Sequence, residues 1–287
     1  RGSAWSNSLF EDNAEYGLGI RLALNSHRSR AVQLLETLRN QLNAKLVEQL
    51  SAEQLDDERA IQEQRTRVKE LRLALAKIDC CEARELEELA DYLVRKTVWM
   101  MGGDGWAYDI GYGGLDHVLA SNANVNILVL DTEGYSNTGG QASKATPTGA
   151  VAKFASSGKR EAKKDLAMIA MSYGNCYVAR VALGANDAHA VKTFLEAEAF
   201  EGPSLIIAYC PCIEHGYDLE GMLRHQKMAV KSGYWPLFRY NPSLADQGKN
   251  PLQLDSRTPE LPVQDYLETE NRFRQVARSN PQLAQKL

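Results

Sequence analysis

The chain has 287 residues, of which 44% are apolar and 24% charged, a composition typical of a globular protein and too apolar for a disordered one. Lysine and arginine total 33 against 37 aspartates and glutamates, so the net charge of −4 speaks against nucleic-acid binding. No apolar run approaches the roughly 18 residues of a membrane span, and no export leader is visible. Five cysteines are too few for a disulfide scaffold, so we expect a soluble, cytoplasmic protein with reduced thiols.

Residues 1–96 are predicted to form a helical segment. Apolar residues recur at three- and four-residue steps over 31–50 and again over 61–78, which is the period of an α-helix. The pattern predicts two long helices joined near residues 51–57, forming a projecting hairpin or a short coiled coil. A third helix is predicted over 82–95.

Residues 97–240 alternate between continuous apolar runs and amphipathic stretches. Strands are predicted at 97–101, 125–131, 176–183 and 204–209. Helices are predicted at 108–121, 165–173, 187–199 and 219–230. This alternation predicts an α/β fold with an open, mostly parallel sheet and helices on both faces. Ligands of such sheets bind at the carboxyl ends of the strands.

The proline-rich residues 241–287 are predicted to be an extended C-terminal arm that lies over a surface. A helix over 263–279 is expected near its end. Isolated tails of this kind usually dock on another part of the protein.

A glycine-rich motif, Gly102-Gly103-Asp104-Gly105-Trp106, follows the first predicted strand. Glycines at a strand end let backbone amides approach an anion, and a following helix offers N–H groups and a positive dipole end. A carboxylate at such a place suggests Mg²⁺ bridging to a diphosphate. The alternative is that Asp104 only caps the helix, and the motif by itself leaves both interpretations open.

A second polar segment, Asp131 to Gln141, follows the next strand. Thr132 lies 28 residues after Asp104, which is one strand–helix–strand unit. A right-handed crossover places the two strands side by side, so their carboxyl ends can share one ion. A hydroxyl, a backbone carbonyl and the Asp104 carboxylate could form one side of an octahedron around it.

Gly103-Asp104-Gly105 followed by Asn137 resembles the diphosphate-binding motif of thiamine-diphosphate enzymes. The longer segments 103–118, 135–141 and 232–240 resemble the C-terminal thiamine-diphosphate domain of the pyruvate:ferredoxin (flavodoxin) oxidoreductases. This similarity begins in residues 4–12 and continues nearly to the end of the chain.

The resemblance implies a set of site residues. The Mg²⁺ ligands would be Asp104, the Thr132 hydroxyl and the Gly134 carbonyl. The cofactor-binding residues would be Gly103, Asp104, Gly105, Trp106, Thr132, Gly134, Ser136 and Asn137. Asn137 would also approach the thiazolium ring and the substrate as a catalytic residue. Gly134 departs from the β-branched residue expected at its position, and a glycine is expected to loosen the loop.

The resemblance also implies a reaction, the oxidative decarboxylation of pyruvate with coenzyme A to acetyl-CoA and CO₂. Electrons would pass through iron–sulfur clusters to ferredoxin or flavodoxin, in an enzyme that is a homodimer when complete. The activating glutamate, the pyruvate-binding groups and a ferredoxin-like domain would lie in other domains. The chain is therefore expected to be a fragment that is inactive alone.

The five cysteines differ in their expected roles. Cys80 and Cys81 in a predicted helix, and Cys176 in a predicted strand, are expected to be buried thiols. Cys210-Pro211-Cys212 follows a strand end, and a lone Cys-x-Cys is weak support for a metal site. By resemblance, Cys212 would supply one thiolate to a [4Fe–4S] cluster, with three cysteines from an upstream segment. Cys210 matches no such ligand and is interpreted as incidental.

Other polar residues have simpler interpretations. Glu214 and His215 could be an acid–base pair but are expected to be polar loop residues, and His117 a packed or hydrogen-bonded imidazole. The charged run 159–164 is expected to be a solvated face, although it could attract an acidic electron carrier.

Two functions from other classes stay open at this point. One is a subunit of a non-oxidative thiamine-diphosphate decarboxylase or synthase, which would need a partner's glutamate and no cluster. The other is a non-catalytic assembly module whose working part is the helical segment.

Overall fold

The computed structural model describes residues 4–8, 10–52 and 57–284, without the side chain of residue 10. It divides into two compact units, one over Leu18–Val98 and the other over the described residues on either side of that segment. The joint predicted at residues 51–57 lies partly outside the described residues, because 53–56 are not among them.

The first unit is built from four helices of different lengths rather than from one long hairpin. The helices are α1 (Asn13–Thr37), α2 (Ala44–Ser51), α3 (Glu58–Leu75) and α4 (Cys81–Leu89), followed by a 3₁₀ turn over Ala90–Leu93. The single helix predicted over 31–50 is therefore wrong, since α1 ends at Thr37. Asn43 is the cause, because its side-chain oxygen accepts hydrogen bonds from the amides of Lys45 and Leu46 and starts a new helix there.

The helices of this unit share one apolar core. Its members are contributed by all four helices and the turn after α4, and they include Leu34, Leu35, Leu38, Val47, Leu50, Leu71, Leu86 and Leu93. Gln64 lies at its edge, where the side-chain amide donates to the carbonyl oxygens of Leu50 and Leu93. The apolar periodicity thus predicted most of the buried positions correctly, with Leu73 an exception, although the number of helices was wrong.

Two leucines of α3 provide a matched test of this core. Leu71 is fully buried and Leu73 is 71% exposed. We expect Leu71→Ala to lower the free energy of unfolding by about 2–5 kcal/mol, since it removes buried methyl groups and leaves a cavity. Leu73→Ala is expected to change it by less than about 0.5 kcal/mol. Denaturant titrations of both variants, followed by helical circular dichroism, check this, and equal losses would contradict it.

The second unit is organised around a six-stranded sheet. The strands are β1 (Trp99–Gly103), β2 (Val125–Asp131), β3 (Tyr177–Val181), β4 (Pro203–Tyr209), β5 (Phe238–Tyr240) and β6 (Leu252–Leu254). Their order is β1-β2-β4-β3-β5-β6. The first four are parallel, and β5 and β6 are antiparallel additions. The predicted mostly parallel α/β sheet is confirmed.

The connecting helices begin and end close to the predicted residues. They are α5 (Tyr112–Ala120), α6 (Leu166–Ser172), α7 (Asp187–Ala199) and α8 (Met222–Lys231). The helix predicted from residue 108 starts earlier, because a π-helical turn over Gly105–Ile110 precedes α5. Gly103 of β1 pairs with Leu130 of β2, so the polar segments that follow these two strands leave the same edge of the sheet.

The C-terminal segment is more than an extended arm. It supplies β6 and then three helices, α9 (Val263–Leu267), α10 (Asn271–Ser279) and α11 (Pro281–Ala284). The continuous helix predicted over 263–279 is therefore interrupted at residues 268–270. Tyr266, Phe273 and Val276 are buried, so this segment is an integral part of the second unit. Across the part of the chain that the structure describes, no helix is long and apolar enough to cross a membrane.

Candidate functional site

The polar segments after β1 and β2 meet through Asp104. Its carboxylate accepts from the Thr132 amide at 3.1 Å and the Thr132 hydroxyl at 2.7 Å, and from the Gly134 amide at 2.8 Å. Asp104 is almost fully buried, and its side chain makes no capping hydrogen bond to the turn that follows. The interpretation of Asp104 as a helix cap is therefore wrong.

Three oxygen atoms of different types are gathered here. The Thr132 hydroxyl lies 2.7 Å from Asp104 Oδ1 and 3.1 Å from the Gly134 carbonyl oxygen. Adjacent ligands of octahedral Mg²⁺ are about 2.9 Å apart, because each oxygen lies about 2.1 Å from the ion at right angles to its neighbour. A carboxylate, a hydroxyl and a carbonyl at these separations are a donor set that fits Mg²⁺.

The electrostatics at Asp104 also favour a cation. Burial, and then the negative charge of Asp131, raise the pKa of Asp104 to about 7. Lys163 and the hydrogen bonds from Thr132 only partly oppose this shift. A divalent cation beside the carboxylate would stabilise its ionised form, which is the form that ligates metals.

The glycine-rich turn leaves one side of this site open. A Cβ added at Gly103 would meet no atom within 4 Å, so the backbone there is accessible to a ligand. A Cβ at Gly105 would clash with the ring of Tyr135. Trp106 is buried, and its Nε1 has no hydrogen-bond partner within the described residues. The close backbone packing therefore requires glycine at 105, whereas position 103 faces open space.

The loop after β2 links the site to Cys212. The Ser136 hydroxyl donates to the Thr132 hydroxyl at 2.7 Å and lies 3.1 Å from the Cys212 sulfur. Asn137 is exposed on the same loop. The structure thus brings Asp104, Thr132, Gly134, Ser136 and Cys212 together, in one chain of contacts.

Gly134 does not adopt a backbone conformation that demands glycine, since its φ is not among the positive values. A Cβ there would lie 3.3 Å from the Gln141 carbonyl oxygen and 3.7 Å from the Thr146 hydroxyl. The loop therefore admits a side chain at this position only with a small shift of the Gln141 carbonyl.

The cysteines differ from one another. Cys176 is buried as predicted, but Cys81 is exposed and Cys80 only partly buried, because they lie at the start of α4 where Cys80 caps the helix. Cys212 is buried and Cys210 half-buried. Among the residues that the structure describes, no group of three or more His, Cys, Asp or Glu side chains could hold a metal ion. A complete four-thiolate cluster site is thus not present within them.

His215 is more than a polar loop residue, so that prediction is wrong. Its ring is buried against Tyr209, and Nε2 donates to the Thr132 carbonyl oxygen at 2.8 Å. Glu214 is exposed and does not pair with it. His117 is exposed rather than packed, because its position on α5 faces solvent.

The charged run 159–164 is not a uniformly solvated face. Lys159 is buried and donates to the Thr146 carbonyl oxygen at 2.6 Å, and Lys164 donates to the Tyr108 carbonyl oxygen at 3.2 Å. Lys163 pairs with Asp131 at 2.8 Å and Glu133 at 3.0 Å. Only Arg160, Glu161 and Ala162 are exposed, so the run alternates between interior and surface.

Sequence reasoning missed a buried ionic cluster directly beneath Thr132. Asp131 accepts from the Tyr108 hydroxyl at 2.8 Å, and Glu133 pairs with Arg272 of α10 at 2.6 Å. Burial would raise the pKa of Glu133, but Lys163 and Arg272 hold it well below its ordinary range. The one available signal was the pair of acids on either side of Thr132.

Comparisons with known proteins give one matching domain family and several similar oxidoreductases. Residues 88–208 match the family described as thiamine pyrophosphate enzyme, C-terminal TPP binding domain. Pyruvate-flavodoxin oxidoreductase from Trichormus variabilis is 59% identical over 100% of this chain. Over its whole length, this chain is similar to one part of that oxidoreductase. Two further relatives, each matched over 100% of the chain, are a probable pyruvate-flavodoxin oxidoreductase from Escherichia coli at 52% identity and the pyruvate:ferredoxin oxidoreductase of Moorella thermoacetica at 49%.

The chain spans about a quarter of the length of these oxidoreductases, covering 24% of the first two relatives and 25% of the third. The matched family segment includes β1, β2, β3 and β4, and with them Asp104 and Thr132. The resemblance to a C-terminal thiamine-diphosphate-binding domain, predicted from the sequence, is therefore confirmed.

Proposed function

We propose that this chain is the part of a pyruvate:flavodoxin or pyruvate:ferredoxin oxidoreductase that anchors thiamine diphosphate through Mg²⁺. The observation that carries the proposal is the meeting of the Asp104 carboxylate, the Thr132 hydroxyl and the Gly134 carbonyl at adjacent strand ends. Sequence comparison also supports the proposal, because about half or more of the residues of this chain are identical in the related oxidoreductases.

Asp104, Thr132 and Gly134 would hold Mg²⁺ from one side and leave the other side for diphosphate oxygens. Gly103 and Gly105 would offer backbone close to the diphosphate, and the unpartnered Nε1 of buried Trp106 is a further donor in the same turn. When bound, thiamine diphosphate would supply a thiazolium ring that takes up the electrons of the broken carbon–carbon bond.

The residues of the loop after β2 would orient the reacting end of the cofactor. Ser136 would fix the Thr132 hydroxyl, since it donates to that oxygen at 2.7 Å. Asn137 is exposed and available to a ligand, and its side-chain amide could contact both thiazolium and substrate.

Cys212 is the proposed thiolate ligand of a [4Fe–4S] cluster. It is buried, and its contact with Ser136 places it two hydrogen-bonded groups away from Asp104. The described residues supply no other suitable set of ligands, so the remaining thiolates must come from elsewhere in the oxidoreductase. The chain alone is therefore expected to hold no intact cluster.

For the whole enzyme, we propose the oxidative decarboxylation of pyruvate with coenzyme A in the cytoplasm, with electrons leaving to flavodoxin or ferredoxin. The remaining domains and a second copy would complete it as a homodimer. The similarity to pyruvate oxidoreductases favours this function over a non-oxidative decarboxylase or a helical assembly module. The isolated chain is expected to be inactive.

The first test is calorimetric titration of thiamine diphosphate into the 287-residue chain, with Mg²⁺ and then with EDTA. We expect binding that needs Mg²⁺ and that weakens at least tenfold in Asp104→Asn, a loss of about 1.4 kcal/mol or more. Asp116→Asn is the matched control, because Asp116 lies on α5 and pairs with the hydroxyls of Tyr112 and Tyr173.

This experiment has clear adverse outcomes. Binding that persists in EDTA would remove the role of Mg²⁺. Binding that is equally strong in Asp104→Asn and in the unaltered chain would remove the proposed ligand. Equal weakening in Asp104→Asn and Asp116→Asn would indicate a general effect of losing an acid.

A further inference from the structure

Glu133 lies between two proposed metal ligands and has an unusual backbone conformation. Its φ is 60°, in the left-handed region that residues other than glycine rarely adopt. Such a conformation persists only where the surroundings impose it, and it is common at ligand-binding turns. Thr132 and Gly134 direct polar atoms toward Asp104, whereas Glu133 directs its carboxylate toward another set of residues.

The Glu133 carboxylate is almost fully buried, at 3% residue exposure, and both of its oxygens have partners. Oε2 accepts from Arg272 at 2.6 Å and from the Tyr234 hydroxyl at 2.7 Å, and Oε1 lies 3.0 Å from Lys163. Its backbone is held as well, because the amide donates to Asp131 and the carbonyl oxygen accepts from Thr146. The turn is therefore fixed from its interior side.

Arg272 ties this turn to a segment that is 139 residues away in the chain. Its guanidinium is buried on α10 and also donates to Glu270 at 2.6 Å. Its carbonyl oxygen accepts from the Val151 amide at 3.0 Å. A buried arginine shared between two carboxylates cannot be removed without leaving charges unpaired, so its position is strongly determined.

We propose that the buried Glu133–Arg272 ion pair is a positioning device for the cation site. The pair holds the left-handed turn so that the Thr132 hydroxyl and the Gly134 amide stay directed at Asp104. Glu133 and Arg272 are positioning residues, since neither contacts the proposed Mg²⁺ ligands through its side chain. This inference rests on the proposed function, because it assumes a cation at Asp104. The effect of the ion pair on the turn can be tested without any cofactor.

The test is amide hydrogen exchange of the full chain without metal or cofactor. The informative amides are those of Thr132 and Gly134, which donate to Asp104, and the reference amides are Leu205 and Ile206 in β4. In Arg272→Met we expect exchange at Thr132 and Gly134 to become at least tenfold faster, with β4 unchanged. Arg272→Lys keeps the charge and should restore part of the protection.

Arg274→Met is the matched control, because Arg274 is exposed on the same helix and its loss should leave the turn unchanged. If Arg272→Met does not fold, Tyr234→Phe removes only the hydroxyl that donates to Glu133, and a roughly threefold increase in exchange is expected there. Unchanged exchange at Thr132 and Gly134 would overturn the proposal. An equal increase in β4 would also overturn it, because the pair would then only stabilise the fold.

A second readout separates this inference from the proposed function. In the same variants, we expect binding of Mg²⁺ and thiamine diphosphate to weaken at least tenfold in Arg272→Met and to be unchanged in Arg274→Met. If the unaltered chain binds no thiamine diphosphate, the proposed function fails, whereas the exchange experiment still decides the coupling.

Discussion

Replacing Lys163 with methionine is expected to lower the free energy of unfolding by about 3–5 kcal/mol, the usual cost of removing one partner from a buried ion pair. The Lys163 ammonium lies 2.8 Å from Asp131 and 3.0 Å from Glu133, and both acids are buried. Without Lys163, Asp131 would keep only neutral hydrogen-bond donors and would face Asp104 and Glu133 uncompensated.

The matched control is Arg160→Met in the same charged run. Arg160 is exposed, so its removal should change the free energy of unfolding by less than about 0.5 kcal/mol. Chemical denaturation of the two variants in the same buffer gives the comparison. A Lys163→Met chain that is as stable as Arg160→Met would show that the Lys163 pairs contribute nothing to the fold.

The fold was predictable because its signals are local. Continuous apolar runs marked β2, β3 and β4, and residues 187–199 were predicted as the helix that α7 forms. The division of α1 from α2 was missed because one side-chain cap at Asn43 outweighs an unbroken apolar period. Residue periodicity records which positions are buried, but it records helix ends only weakly.

The centre of the candidate site was also predictable, for a topological reason. Two parallel strands joined by one helix must end at the same edge, so Asp104 and Thr132 had to be close. No such rule connects Glu133 with Arg272, because the two are 139 positions apart and several strands and helices lie between them. The partners of a buried charge depend on the assembled fold.

The same distinction explains the charged run 159–164. Its composition is that of a solvated surface, and three of its residues are exposed. The other three residues are lysines whose ammonium groups bind carbonyl oxygens or acids near the site, namely Lys159, Lys163 and Lys164. Asp131 and Glu133 are buried, and a buried carboxylate is costly unless a cation pairs with it. These acids lie about 30 residues before Lys163 in the chain, so the run itself does not indicate the pairing.

The contribution of His215 to the stability of the metal-free chain is expected to decrease as the pH falls from about 6.5 to 4. Burial, and then the positive charge of Arg272, lower the pKa of His215 to about 4, although Glu270 and Glu133 act in the opposite direction. The ring donates to the Thr132 carbonyl oxygen, and its Nδ1 has no hydrogen-bond partner among the described residues. The folded state therefore keeps this imidazole neutral.

The direction of this pH dependence is set by the protons that the folded and unfolded chains bind at His215. The unfolded chain binds a proton at His215 below about pH 6.5, whereas the folded chain does so only below about pH 4, so unfolding takes up a proton between these values. The contribution of His215 to the free energy of unfolding is fully present above about pH 6.5. It decreases by about 2 kcal/mol between pH 7 and pH 5.

Denaturant titrations at pH 7 and pH 5 of the unaltered chain and His215→Gln measure this contribution directly. A glutamine amide can still donate to the Thr132 carbonyl but takes up no proton, so the stability difference between the two chains should shift by about 2 kcal/mol. His117→Gln is the control, because His117 is exposed and its replacement should leave the pH dependence unchanged. Parallel pH profiles for His215→Gln and the unaltered chain would mean that folding does not lower the pKa of His215.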